Sequence, residues 1–383
     1  MVPGGNWVPV PVIDLSDDEA TETDETEAPA APEAPEAPEA PEAPEAQVSA
    51  PAPAKRRCLG LASHSCTTGS RRPSPFCKPR AMPVLGNAIF QEANHDFLCH
   101  LEEHGYAVLQ GILATQPDCQ AFLSQFWKAM TMVVPGLDPL HDSTWNFPKG
   151  FRGIVTSYGL PQADFAWMIR GHHRIQSAFA NIFRTRDLVV SLDAVIVEAQ
   201  SPRSKLAPWL HKDQNPSHAE LSVQAVYTHF GSGPHDAGTC VVPGSHRITY
   251  DWERKKSMDH VRAPDDQFNV LKPDVPPDSV VFFNSRLVHA SLAPAPSLRR
   301  PEARPLRPAR PARLGVCVAY APCSRRSEAT RRRKEQAYLQ GKCSSHWPCD
   351  RFSLKPPLKH YQILKGGVSL PPPPPLHERL RLL

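Results

Sequence analysis

The chain of 383 residues contains 44 prolines and 10 cysteines, and its formal net charge at pH 7 is +4. This charge is unevenly distributed, because residues 1–50 hold 13 acidic residues and no Lys or Arg, which leaves the remainder strongly basic. The chain shows no apolar run of about 20 residues, no signal-peptide pattern and no regular cysteine spacing, which predicts a soluble intracellular protein with reduced thiols.

An aliphatic and acidic segment lies near the start of the chain. Val12, Ile13 and Leu15 precede the acidic residues 17–19, and this pattern resembles a SUMO-interacting motif. Such a segment can add as a strand to the edge of a sheet while its acidic flank contacts basic residues. We therefore expect SUMO or a SUMO-modified protein as a partner. The alternative is an acidic tail whose few aliphatic residues have no function.

Low-complexity sequence continues to residue 81. Five Pro-Glu-Ala repeats in residues 32–46 have little to bury and are predicted to form an extended spacer. Residues 51–80 are basic, and the Lys-Arg-Arg cluster at 55–57 is either a nuclear-import signal or solvated linker. We expect residues 1–81 to be disordered and the protein to be nuclear or cytoplasmic, with the nucleus favoured.

Residues 82–365 are predicted to form one domain in which helices precede many short strands. The first helix places Phe97, Leu98 and Leu101 on one face and ends at Gly105. The later expected elements are a helix at 117–132, a turn and a longer helix within 153–183, strands at 187–199, 221–230, 239–242, 279–283 and 314–320, and a basic helix within 324–342. This pattern predicts a mainly β fold with supporting helices, a double-stranded β-helix or jelly-roll, cupin-like barrel.

His211 and Asp213 are candidate metal ligands. Residues two apart on an extended segment project their side chains from the same face. His289 ends an apolar, strand-like run and is the best candidate for a third ligand. Two histidines and one carboxylate form the facial triad of non-haem Fe(II) oxygenases, which leaves three coordination positions open.

Three further segments follow this pair in order. They are GTCVVPGSH at 238–246, PDSVVFFNSRLVHAS at 277–291 and ARLGVCVAYAP at 312–322. Together with the pair they resemble the phytanoyl-CoA dioxygenase-like family of 2-oxoglutarate/Fe(II) oxygenases, over roughly residues 105–348. The resemblance implies that His211, Asp213 and His289 bind Fe(II) and that 2-oxoglutarate is the co-substrate.

The resemblance also implies a cation that binds the distal carboxylate of 2-oxoglutarate. Arg313 directly precedes the last predicted core strand, as the family arginine does, and a guanidinium can pair with a carboxylate through two hydrogen bonds. Ser291 lies on the same side of the extended chain as His289 and could donate a second hydrogen bond. Gln224 and Tyr227 are further candidates for the wall of the co-substrate site.

Three segments have less certain roles in a protein of this family. The Pro/Arg-rich insertion at 293–312 is either a surface loop or a basic finger that contacts nucleic acid or an acidic partner. Cys343, His346 and Cys349 could bind zinc, but their spacing matches no familiar zinc-finger pattern, which favours simple packing. The Pro-rich tail at 366–383 is expected to form a short polyproline helix that could engage a proline-reading domain.

These observations favour an active dioxygenase that hydroxylates an unidentified substrate and decarboxylates 2-oxoglutarate to succinate. One alternative is a catalytically inactive family member that serves as a nuclear binding module through SUMO or nucleic-acid contacts. Another is a nucleic-acid-associated protein that uses the basic insertion while its barrel acts on a nucleic acid or a protein. The sequence does not name the substrate, and it does not imply a fatty acyl-CoA.

Overall fold

The computed structural model contains two β-sheets, the larger of which packs against several helices. It describes residues 88–199, 209–233, 236–254, 259–264, 268–292, 310–356, 358 and 360–383, all within the compact unit Ser74–Leu383. The predicted SUMO-interacting motif, spacer and import signal lie outside the described residues. Most of the predicted insertion at 293–312 also lies outside them.

Most strands of the described residues are short, as predicted, although the last one has ten residues. In chain order they are β1 (Ile89–Phe90), β2 (Tyr106–Gln110), β3 (Ile154–Val155), β4 (Leu188–Val190), β5 (Val195–Glu198), β6 (His211–Lys212), β7 (Val223–Thr228), β8 (Gly238–Val241), β9 (Val261–Arg262), β10 (Ser279–Asn284), β11 (His289–Leu292) and β12 (Arg313–Pro322). The larger sheet has the order β1-β2-β10-β7-β12-β5-β3, and β4 pairs with the end of β12. The smaller sheet has the order β8-β11-β6-β9.

Side chains from both sheets line one cavity. Gln224 and Val226 reach it from β7 of the larger sheet, and His211 and His289 reach it from the smaller sheet. Two mainly antiparallel sheets with a shared interior are the arrangement of a double-stranded β-helix, so the predicted fold class is confirmed.

The other face of the larger sheet packs against helices. The described helices are α1 (His95–His104), α2 (Gln116–Val133), α3 (Asp164–Arg170), α4 (His173–Phe183), α5 (Asp251–Arg254), α6 (Glu328–Leu339) and α7 (His377–Arg381). Strand β7 contributes Val223, Ala225 and Tyr227 to the same apolar core as Phe122 of α2 and Phe179 of α4. None of these helices combines the length and the apolar character that a membrane span requires.

Local sequence explains both ends of α1. The side chain of Asn94 accepts a hydrogen bond from the backbone N–H of Phe97 and caps the first turn. Phe97 and Leu101 are buried, as predicted. Gly105 ends the helix with φ = 81°, and a Cβ atom there would lie 2.5 Å from Nδ1 of His246. Glycine is therefore required both for the left-handed backbone and for this close approach.

Two predicted elements are interrupted. The longer predicted helix is divided into α3 and α4, because the chain leaves the helical conformation at Gly171 and His172 caps the second helix from an extended backbone. The predicted strand at 187–199 is divided into β4 and β5. Between them the hydroxyl of Ser191 accepts a hydrogen bond from the backbone N–H of Ala319, so a side chain replaces part of the backbone pairing.

The predicted tail at 366–383 packs on the domain. The carbonyl of Leu382 accepts a hydrogen bond of 2.8 Å from the backbone N–H of Val190, and Leu383 is fully buried. The packed chain therefore continues beyond the predicted domain boundary at residue 365, because apolar residues at the C-terminus complete the core.

His229 is a buried imidazole in the core between α2 and the larger sheet. Its ring stacks on Phe122 with the ring centroids 4.9 Å apart, and its Nδ1 lies 3.0 Å from the hydroxyl of Tyr227. That hydroxyl donates its only proton to Asp278, so Nδ1–H of His229 donates to the Tyr227 oxygen. Burial lowers the pKa of His229 from 6.5 to about 4, against the opposing charge of Asp278.

We predict that His229 makes the fold acid-sensitive. Because the folded protein favours the neutral imidazole, its contribution to stability is complete above pH 6.5 and is lost as the pH falls from 6.5 towards 4. Replacing His229→Gln should reduce the loss of unfolding free energy between pH 7 and pH 5 by about 2 kcal/mol. Urea unfolding at both pH values measures this difference, and an equal loss in the variant and the natural protein would contradict it.

Candidate functional site

The pairing of β6 with β11 brings His211 and His289 together. The two residues are directly opposite in the antiparallel register, and their ring centroids are 4.3 Å apart. Asp213 projects towards both rings. Its Oδ1 lies 3.6 Å from Nε2 of His211, and its Oδ2 lies 3.4 Å from Nε2 of His289. The three predicted ligands are therefore assembled in one place by neighbouring strands.

Backbone carbonyl groups fix the orientation of both imidazoles. Nδ1 of His211 lies 2.9 Å from the carbonyl oxygen of Trp209, and Nδ1 of His289 lies 2.9 Å from that of Leu287. Because a carbonyl oxygen only accepts, each Nδ1 carries the proton and each Nε2 keeps its lone pair. This tautomer, held by a hydrogen bond on the remote nitrogen, is the one that a metal-binding histidine needs.

Electrostatics keeps this group of side chains in a metal-binding state. Burial, with the neighbouring His289, lowers the pKa of His211 to about 3. Burial raises the pKa of the Asp213 carboxyl, but His211, His260 and His289 together outweigh that effect and hold its pKa well below its usual range. Near neutral pH the site therefore offers an ionised carboxylate and a neutral imidazole, the forms in which both bind a metal.

Gln224 contacts the carboxylate of Asp213 directly. Its Nε2 donates a 2.9 Å hydrogen bond to Oδ2 of Asp213 and lies 3.2 Å from the hydroxyl of Ser285. The amide can therefore hold the orientation of the carboxylate. Gln224 was predicted to line the co-substrate site. It does line the cavity, but its amide is hydrogen-bonded to Asp213.

His260 is a further imidazole in the group, and the sequence analysis did not identify it. Its Nδ1 lies 2.9 Å from Oδ1 of Asp213, and its ring stacks on Trp209 at 4.6 Å. Ligand atoms of His211, Asp213 and His260 lie within 4.8 Å of one another, so this trio could also hold an ion. His260 precedes a strand of only two residues, so no alternating pattern could have revealed it.

Geometry favours His289 over His260 as the third ligand. The side chain of His289 is 8% exposed, and its Nδ1 bond to the Leu287 carbonyl leaves the lone pair on Nε2, 3.4 Å from Oδ2 of Asp213. The side chain of His260 is 44% exposed and directs Nδ1 at the carboxylate itself. A nitrogen at 2.9 Å from a carboxylate oxygen has the separation of a donated hydrogen bond. His260 is therefore better placed to orient Asp213 than to replace His289.

Arg313 and Ser291 meet at the wall of the same cavity, which has a volume of about 410 Å³. Nη1 of Arg313, on β12, donates a hydrogen bond to the hydroxyl of Ser291, on β11. Glu198 lies 3.9 Å from the same guanidinium, and both side chains are almost completely buried. Arg152 adds a second guanidinium, which donates to the carbonyl of Ser291. Arg152 therefore lies beside the predicted pair of Arg313 and Ser291. The sequence analysis missed Arg152 because it lies in an irregular segment far from the motifs.

Other candidates lie away from this group. Tyr227 belongs to the apolar core, and its hydroxyl bonds to Asp278 rather than facing the cavity. Within the described residues, no metal-binding group includes Cys343, His346 and Cys349, although His346 lines the cavity. Cys343 and Cys349 are buried, as expected for packing residues.

Lys212 occupies the opposite face of β6 from the two ligands. Its Nζ forms an ion pair of 2.6 Å with Glu253, and both side chains are only 2% exposed. It also donates to the carbonyl of Ile248 and lies 4.8 Å from the ring centroid of Tyr250. This buried pair connects the short strand to the segment containing α5, and alternation of side chains directs His211 and Asp213 into the cavity.

A family model for phytanoyl-CoA dioxygenase (PhyH) matches residues 101–299. The chain belongs to the phytanoyl-CoA dioxygenase family. The resemblance predicted from the motifs is confirmed, and this family uses Fe(II) and 2-oxoglutarate. The donor set described above fits such a metal, since two imidazoles and one carboxylate are the ligands of non-haem Fe(II) oxygenases.

Individual relatives of this PhyH-family chain have low sequence identity to it. Ava biosynthesis cluster protein O of Aspergillus versicolor is 28% identical over 181 residues, which is 41% of this chain and 59% of that protein, so the match spans less than two thirds of the relative. The epimerase SnoN, solved with Fe³⁺, α-ketoglutarate and nogalamycin RO, is 16% identical with a TM-score of 0.41 over 60% of this chain and 83% of its own. HygX from Streptomyces hygroscopicus, solved with nickel and 2-oxoglutarate, is 14% identical with a TM-score of 0.42 over 60% of this chain and 87% of its own.

We predict that the ion pair behind the site stabilises the PhyH-family domain. Lys212→Met should lower the unfolding free energy by roughly 3–5 kcal/mol, because it leaves the Glu253 carboxylate buried without a cation. Adding Glu253→Gln should restore part of the loss, so the two substitutions should not be additive. Urea unfolding at pH 7 measures the effect.

The matched control is the exposed ion pair between Arg332 and Glu328 on α6. Arg332→Met should change stability little, since water solvates both charges. An equally small effect for Lys212→Met would show that the buried pair does not stabilise the fold.

Proposed function

We propose that this protein is an Fe(II)- and 2-oxoglutarate-dependent dioxygenase that hydroxylates a substrate. The observation that carries the proposal is the convergence of two Nε2 atoms on the Asp213 carboxylate, inside a cavity whose wall holds the guanidinium of Arg313. His211, Asp213 and His289 are the proposed ligands. When bound, the iron supplies oxygen activation coupled to the oxidative decarboxylation of 2-oxoglutarate to succinate.

The chain's own residues prepare the metal site. The carbonyl groups of Trp209 and Leu287 hold the imidazole tautomers, while Gln224 and His260 hold the carboxylate. Second hydrogen bonds of this kind orient metal ligands and increase their basicity. Apolar side chains on the cavity wall, including Phe283, limit the access of water to the reacting groups.

Arg313 and Ser291 are the proposed partners of the distal carboxylate of 2-oxoglutarate. A guanidinium with a hydroxyl group beside it can donate several hydrogen bonds to one carboxylate. Glu198 lies 3.9 Å from the guanidinium and can fix its orientation before the co-substrate arrives. Because Arg313 is almost completely buried, a hydrogen bond from its guanidinium to the co-substrate carboxylate would be stronger than the same contact in water.

The catalytically inactive binding module receives no specific support. All three residues of the proposed triad are present, and hydrogen bonds from Nδ1 of both histidines to backbone carbonyl groups leave each Nε2 facing the Asp213 carboxylate. The hydroxylated substrate stays unassigned within this proposal. A cavity of about 410 Å³ is suited to a small molecule or to one side chain of a larger one.

We predict that the protein purified without oxygen binds one Fe(II) ion. His211→Ala, Asp213→Ala and His289→Ala should each abolish stoichiometric binding, because each removes a ligand. His260→Ala is the matched comparison and should only weaken binding, by roughly ten- to a hundredfold, as expected for loss of a residue that orients a ligand. Anaerobic calorimetric titration with Fe(II) measures both stoichiometry and affinity.

One result of that titration would change the ligand assignment. Stoichiometric iron retained by His289→Ala and lost by His260→Ala would place His260 in the triad.

In the natural protein, succinate formed from 2-oxoglutarate and oxygen without added substrate would establish turnover. Full iron and 2-oxoglutarate binding with no succinate under any condition would contradict the enzymatic proposal.

We predict that Arg313 determines the affinity for 2-oxoglutarate but not for the metal. Arg313→Ala removes a charge-assisted contact of about 1.5–3 kcal/mol, so the dissociation constant should rise roughly ten- to a hundredfold. Titration of 2-oxoglutarate into the Mn(II)-loaded protein measures this without turnover. Arg310→Ala is the control, because that guanidinium lies 5.3 Å from the ring centroid of Phe230. A comparable loss of 2-oxoglutarate affinity in Arg310→Ala would show that the assignment of the co-substrate cation to Arg313 is wrong.

A further inference from the structure

The C-terminal segment before α7 shows a three-residue repeat of exposure. Leu370, Pro373 and Leu376 are half-buried, and the residues between them are exposed prolines. Three residues per turn is the period of a polyproline II helix. One of its three edges therefore faces the domain, and the prolines of the other two are exposed, with Pro371 and Pro374 at the rim of a groove beside α2.

Proline stereochemistry accounts for this conformation. Each pyrrolidine ring holds φ near −65°, and each residue before a proline is confined to extended backbone. Residues 371–375 are five consecutive prolines, so both restrictions apply along the run. Little conformational freedom is left to lose when such a segment binds a partner.

The inner edge contacts two glycines of the domain. A Cβ atom built on Gly159 would lie 3.1 Å from Cβ of Leu370, and one built on Gly341 would lie 4.0 Å from Cδ of Pro373. The absence of side chains at these two positions lets the helix lie directly on the surface. The inner edge is thus committed to the domain.

Hydrogen bonds hold the segment at both ends. The backbone N–H of Leu370 donates to the carbonyl of Tyr158 at 2.9 Å, and the hydroxyl of Tyr338 donates to the carbonyl of Pro374 at 2.7 Å. Beyond the prolines, Arg379 of α7 forms an ion pair of 2.7 Å with Asp164. The exposed prolines are therefore presented in a fixed position.

We propose that this anchored polyproline helix is a docking site for a partner with an aromatic-lined, proline-reading groove. Pro371 and Pro374 form one outward edge, and Pro372 and Pro375 form the other, so each edge is a Pro-x-x-Pro pair. Grooves of this chemistry bind Pro-x-x-Pro segments as preformed polyproline II helices. No charged side chain interrupts the run, so recognition rests on ring packing. This site is independent of the proposed oxygenase chemistry.

The test titrates the intact protein with purified SH3, WW and EVH1 domains by isothermal calorimetry. At least one domain should bind saturably, and the double substitution Pro371→Ala, Pro374→Ala should weaken its affinity about tenfold or more, because one outward edge loses both rings. Pro373→Ala changes the inner edge and should have a much smaller effect. Unchanged thermal unfolding of the double variant confirms that both exposed positions tolerate alanine.

Three outcomes would overturn the proposal. The first is no saturable binding by any of the three domains. The second is an equal loss of affinity in Pro373→Ala and in the double variant, because the inner edge would then be the surface read. The third is binding that none of these substitutions weakens. That result would indicate that the partner binds the Pro-Glu-Ala repeats at 32–46 instead, whose prolines are also three residues apart.

Discussion

The antiparallel register between β6 and β11 is the constraint on which the proposed metal site depends. It places His211 opposite His289, and Asp213, in the bend directly after β6, then reaches both rings. A shift of one residue in either strand would turn a ligand away from the cavity, because side chains alternate between faces. The ion pair of Lys212 on the other face opposes such a shift, since moving it would separate two buried charges.

The larger sheet meets two requirements with alternate residues of the same strands. In β7, Val223, Ala225 and Tyr227 pack against helices, while Gln224 and Val226 face the cavity. The helical layer therefore stabilises one face and leaves the opposite face available for polar side chains. This division allows the amide of Gln224 to contact a carboxylate without disturbing the apolar core.

The site contains several buried charges, so the hydrogen bonds to these charges are needed to offset the cost of removing them from water. Asp213 is surrounded by three imidazoles and one amide, which together overcome the cost of burying its charge. Arg313 is similarly enclosed, with Glu198 and Ser291 as neighbours. Because the protein already holds both groups in place, a bound ion or carboxylate would require little rearrangement, which is the basis of preorganised binding sites.

Motifs and hydrophobic patterns in the sequence were sufficient for the fold class, the family and the first helix, and they were sufficient to propose the triad, because each part is a local pattern that can be recognised in the sequence. His211 and Asp213 are two residues apart in the chain, and His289 ends a recognisable apolar run. His260, Arg152 and Glu253 could not be found in this way, since each comes from an irregular or very short segment and gains its place only through contacts distant in sequence. The tertiary structure also decided that the C-terminal prolines pack on the domain, because the two glycines beside them, the Tyr338 hydroxyl that donates to Pro374 and the Tyr158 carbonyl that accepts from Leu370 all lie more than 30 residues earlier in the chain.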